Sequence, residues 1–104
     1  MMQKRNNILV IDDDKLMRVS LKSLLEENGY LVYTVSNGDD AVQTLNKNNV
    51  DLILFDLRLH DDRELSLVNK IKEASPDTII LIMIDQDKIK TVINTLCLDT
   101  VDYI

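Results

Sequence analysis

The chain has no tryptophan, one cysteine, one proline, two glycines and one histidine in 104 residues. Cys97 stands alone, so an intramolecular disulfide is excluded and a reducing compartment fits. Phe55, Tyr30, Tyr33 and Tyr103 are the only aromatics, which leaves the core to Ile, Leu and Val. Basic residues are in deficit: Lys and Arg number 12 against 18 Asp and Glu, a formal charge of −6. That balance argues against direct nucleic-acid binding, which needs a basic face, and is compatible with a basic protein partner or a bound cation. No apolar stretch reaches the length of a membrane span. Met1 to Asn7 carries charge and lacks the apolar centre of a signal peptide. The expectation by elimination is a soluble cytoplasmic protein. The length suits one domain with a single core.

What the chain does have is two apolar runs that end in aspartates. Ile8-Leu9-Val10-Ile11 leads into Asp12-Asp13-Asp14, and Leu52-Ile53-Leu54-Phe55 leads into Asp56. Short apolar runs bounded by polar residues read as buried strands of a parallel sheet. Tyr30 to Val35 and Ile79 to Ile84 read the same way, and Val101 to Ile104 begins a fifth strand. Helical spacing fills the gaps. Lys15 to Asn28 carries a stripe of Met17, Leu21, Leu24 and Leu25, with Lys15, Arg18, Lys22 and Glu26 mostly on other faces. Asp14 suits its N-cap and Gly29 its C′ position. Ser36-Asn37-Gly38-Asp39 turns into a second helix with Ala41, Val42 and Leu45 inward. A third helix runs from about Glu64 to Ala74 on Leu65, Val68 and Ile71, and Pro76 stops it. Lys88 to Leu98 makes a fourth on Ile89, Val92, Ile93 and Leu96. Strands alternating with helices imply crossover connections and a parallel α/β sheet.

In such sheets, sites form beyond the carboxyl ends of the strands. If the strands ending at Ile11 and Phe55 are neighbours, at least three carboxylates converge there. They repel one another unless a divalent cation or a proton neutralises them. An aspartate after a strand is also an ordinary turn or N-cap residue. That accounts for Asp14. It leaves unexplained why Asp12 and Asp13 precede the cap and why Asp56 ends a second core strand.

The chain resembles the response-regulator receiver domain of two-component signalling. The matching residues are Val10-Ile11-Asp12-Asp13-Asp14, Arg18, Gly29-Tyr30, Asn37 to Ala41, Asp51 to Leu59, and Val101 to Ile104. They align without gaps over nearly the whole length. The resemblance implies a flavodoxin-like, doubly wound, five-stranded parallel sheet of order 2-1-3-4-5. It implies a phosphoprotein in which Asp56 accepts a phosphoryl group from a histidine kinase or phosphotransfer protein. It also implies Mg²⁺ held by Asp13, Asp56 and the backbone carbonyl of Arg58, with Asp12 holding metal-bound water. Such a domain is not an enzyme beyond catalysing its own phosphorylation and dephosphorylation. Its implied further partners are an output domain or a second copy, met through the face of the fourth helix and fifth strand.

The chain departs from the family at several positions. The family's switching Thr or Ser at the end of the fourth strand is Ile84, which has no hydroxyl to donate, and the next residue is Asp85. Asp85 either sits at the mouth of the site or points to solvent as a cap. The loop after Asp56 carries His60, Asp62 and Glu64 where proline and glycines are usual. A lone loop histidine is ordinarily just exposed, and Cys97 reads as a helix residue without a redox role. The family's phosphoryl-contacting lysine would fall two residues past Ile104 and the fifth helix beyond it. Residues 1–104 are therefore expected to form a receiver domain truncated at its C-terminal end, lacking the fifth helix and exposing part of one sheet face. Two functions follow: a Mg²⁺-dependent phosphorelay receiver, or a pseudo-receiver that binds partners or dimerises independently of phosphorylation. A small Mg²⁺-dependent phosphatase is disfavoured, because the second aspartate it needs two residues beyond the nucleophile is Arg58.

Overall fold

The computed structural model describes residues 6–56, 63–83 and 101–103. The elements run β1 (Asn7–Ile11), α1 (Lys15–Glu27), β2 (Leu31–Val35), α2 (Gly38–Lys47), β3 (Leu52–Asp56), α3 (Arg63–Ala74), β4 (Ile79–Met83) and β5 (Val101–Tyr103). The strands form one sheet in the order β2-β1-β3-β4-β5, and every pairing is parallel. This is the expected flavodoxin-like order. The expected helix at Lys88 to Leu98 lies outside the described residues.

Both faces of the inner strands are apolar, so each must be covered. Leu9, Ile11, Ile53, Phe55, Ile80 and Ile82 face one way and pack with Ala41 of α2 and Val68 and Ile71 of α3. Ile8, Val10 and Val32 face the other way, where Leu21 and Leu25 of α1 pack with the half-buried Leu52 and Leu54. Cover on the α1 side thins towards β4, where Leu81 is half-buried and Ile79 is exposed.

Helix α1 corrects one expectation. Met17 and Leu24, expected in the buried stripe, are 46% and 56% exposed. Arg18, expected on another face, is half-buried beside Leu21 and Leu25. Positions 18, 21 and 25 look inward instead, and Arg18 Nη1 donates to the Asp12 carbonyl just past the end of β1. The caps are as expected. Asp14 Oδ1 accepts from the N–H groups of Leu16 (2.9 Å) and Met17 (3.4 Å). Gly29 takes φ +91°, a left-handed conformation open to glycine, and its N–H donates to Glu26 O.

The start of β4 is tied to the turn before β3. Buried Thr78 donates from Oγ1 to Val50 O at 2.8 Å, and Ile79 N donates to Asp51 O at 3.2 Å. These bonds set the register Leu52↔Ile79 to Asp56↔Met83.

Candidate functional site at the strand ends

The register decides what meets at the carboxyl edge. Ile11 pairs with Phe55, so the residues that follow, Asp12 and Asp56, come level on neighbouring strands. Asp12, Asp13 and Asp56 each offer a carboxylate oxygen, and these oxygens all lie within 4.8 Å of one another. Asp12 is buried, Asp56 half-buried and Asp13 exposed, so the cluster runs from the sheet end out to the surface.

Asp12 is fixed on three sides. Its N–H donates to Val35 O (3.1 Å), its Oδ1 accepts from Asp14 N (2.9 Å), and its carbonyl accepts from Arg18 Nη1 (2.7 Å). The first bond holds the strand end to β2 and the second shapes the turn into α1. The third spans the first turn of that helix with a charge-assisted bond.

A cavity of about 160 Å³ opens over the cluster, the volume of a few water molecules. Besides the three aspartates its walls include Ser36, Asn37 and Gly38 at the start of α2, Phe55 below, and Leu67 of α3. Asn37 is the N-cap of α2, its Oδ1 accepting from Asp40 N at 2.8 Å. A larger open groove of about 510 Å³ runs beside β2 between Arg18 and Lys47, but it contains no converging carboxylates.

Three carboxylates that line one cavity form an all-oxygen donor set, which suits a hard divalent cation that keeps several waters. The donor set therefore fits Mg²⁺. The structure brings together Asp12, Asp13 and Asp56 as the sequence predicts. Arg58, His60, Ile84, Asp85 and Cys97 lie outside the described residues. Sequence reasoning missed Leu67 as part of the site. The Asn37-Gly38 pair was legible as a turn, but nothing local says that the turn faces the acids.

The sequence model of the response regulator receiver domain family matches residues 8–104. The chain belongs to this family. Receiver domains are signalling domains and bind Mg²⁺ at an acidic pocket of this kind. This receiver domain is 30% identical over 97 residues to the transcriptional regulatory protein DltR of Streptococcus agalactiae, covering 93% of the chain and 43% of that protein. It is 31% identical over 104 residues to the regulator ZraR of Salmonella typhimurium, covering 100% of the chain and 24% of that protein. The chain thus spans less than half the length of these relatives. Among solved structures, a response regulator from Thermotoga maritima superposes with a TM-score of 0.79 at 25% identity, covering 97% of this chain and 84% of that one. A response regulator from Burkholderia pseudomallei, with a phosphorylated aspartic acid, a calcium ion and citrate, gives 0.76 at 28% identity, covering 94% and 59%. No helix among the described residues is long and apolar enough to cross a membrane.

Proposed function

We propose that this receiver domain accepts a phosphoryl group on Asp56 from a histidine kinase, in a Mg²⁺-dependent phosphorelay. The observation that carries this reading is the convergence of Asp12, Asp13 and Asp56 within 4.8 Å at the ends of two paired strands. The phosphorylated aspartic acid of the Burkholderia relative supports it.

Asp56 is the nucleophile. One of its carboxylate oxygens bonds to the phosphorus of the donor, the bond from phosphorus to the donor nitrogen or oxygen breaks, and an acyl phosphate results. Half-burial keeps the Asp56 oxygen within reach of a donor while the backbone of β3 holds it still. Phosphoryl transfer depends mainly on positioning and charge neutralisation, and a rigid strand end supplies the first. Asp13 and Asp56 would hold the cation, with the Arg58 carbonyl as a third ligand, and Asp12 would orient water bound to it. The cation, when bound, offsets repulsion between the carboxylates and the incoming phosphoryl oxygens.

Acetyl phosphate with Mg²⁺ should label the protein, as read by intact mass. Labelling should vanish with chelator and in Asp56→Asn. Persistent labelling of the Asp56→Asn protein would falsify the assignment.

Ile84 favours a second reading at the same fold. Without a hydroxyl at that position, the domain would hold partners or dimerise without sensing phosphate. Equal partner affinity with and without beryllofluoride, a phosphoryl mimic, supports this reading, and a large change counts against it.

A further inference from the structure

Among the described residues, the acidic cavity has apolar lining from Ile11 and Phe55 of the sheet and from Leu67 of α3, and Leu67 lies close against Gly38. A Cβ placed on Gly38 would lie 2.7 Å from both methyl carbons of Leu67 and 3.0 Å from its Cγ. The branch of Leu67 is thus seated directly on the first residue of α2, a close approach that glycine permits. Gly38 is buried, and both residues line the cavity together with Asp12, Asp13 and Asp56. Leu67 is not among the core positions of its helix. Val68 and Ile71 are fully buried against the sheet, while Leu67 is only half-buried on the flank. Its place is between the core and the site.

We propose that Leu67, seated on Gly38, is the wall that limits water access to phosphorylated Asp56 and so sets the lifetime of the aspartyl phosphate. The inference rests on Asp56 being the phosphoacceptor. In the hydrolysis it controls, the oxygen of a water molecule bonds to phosphorus while the bond from phosphorus to the Asp56 oxygen breaks. The products are inorganic phosphate and the free carboxylate, and the proton lost by the water passes to solvent. A hydrocarbon wall beside the phosphoryl group leaves fewer positions from which water can approach in line, and it offers no hydrogen bond to hold one there.

The close approach provides its own control. Trimming Leu67 to alanine vacates the space beside Gly38, and an alanine methyl at 38 would then project into that same space.

The test is the half-life of the labelled protein after the phosphodonor is removed, in the presence of Mg²⁺. Leu67→Ala should shorten it by roughly three- to tenfold, with Leu67→Val in between. The double variant Gly38→Ala/Leu67→Ala should recover part of the lost lifetime, since one methyl at 38 refills part of the space of the three carbons removed. Urea midpoints and Mg²⁺ affinity are measured alongside, and the lifetimes are compared at saturating Mg²⁺. A lifetime that follows the urea midpoints rather than the refilled volume overturns the proposal. So does an unchanged lifetime in both single variants when the parent protein is labelled normally. If the parent is not labelled at all, the assignment of Asp56 itself has failed and the wall has nothing to protect.

Discussion

Asp12 and Asp13 are chain neighbours placed in opposite surroundings. Asp12 is 1% exposed and Asp13 is open to solvent, because the chain leaves the sheet between them. Burying a carboxylate is costly without compensating bonds, so the ties around Asp12 matter more than those around Asp13. The carboxylate itself accepts from Asp14 N, and Arg18 holds the residue through its backbone carbonyl. Replacing Arg18 with Met keeps the apolar stem and removes that bond. We expect a loss of roughly 1–2 kcal/mol in urea unfolding. Mg²⁺ affinity should also weaken, because the turn that presents Asp13 is less firmly held. Titration calorimetry on the folded variant checks the second effect, and unchanged affinity would show that Asp14 and Val35 suffice to hold the turn.

At the scale of elements, the helices are positioned by their ends. Asp14 satisfies two orphan N–H groups of α1, and Asn37 satisfies one of α2, that of Asp40. Asp14→Ala should cost about 1 kcal/mol in urea unfolding. It should leave labelling at Asp56 nearly unaltered, since the bond from Asp14 to the site is made by its backbone N–H. Labelling that falls in step with stability would instead implicate the side chain in the site. The Asp14 cap was legible because capping is local chemistry, a short acceptor followed by a helical stripe, whereas Asn37 was legible only as part of a turn. The rotation of α1 was not legible. Met17 and Leu24 have the right spacing for a buried stripe, but hydrophobic spacing does not say which side of the stripe meets the sheet, and here Arg18 takes an inward position. Leu67 escaped notice for a related reason. It is an ordinary apolar residue on α3, and only the approach of α2 turns it into part of a site.

For the whole molecule, the sheet divides the core into two unequal halves. Among the described residues, the α2/α3 side holds ten buried residues and the α1 side three. Adjacent residues on β4 show the asymmetry. Ile80 is fully buried on the heavy side and Ile79 is 53% exposed. Ile80→Ala should lose about 2–5 kcal/mol through lost burial and the cavity left behind. Ile79→Thr should stay within about 0.5 kcal/mol of the parent. Urea unfolding of the two variants side by side measures this, and comparable losses would mean that the α1 side is covered more fully than the structure shows. Among the described residues, the alternation of strand and helix, the Asp14 and Gly29 caps and the three acids were determined by the sequence alone. Each depends on residue type at short spacing, which a chain carries whatever its fold. The meeting of the acids was decided by tertiary structure. Asp12 and Asp56 lie far apart along the chain, and only the parallel pairing of Ile11 with Phe55 brings them level. The same holds for the inward turn of Arg18 and the seat of Leu67 on Gly38, because both depend on distances between elements that no local pattern encodes.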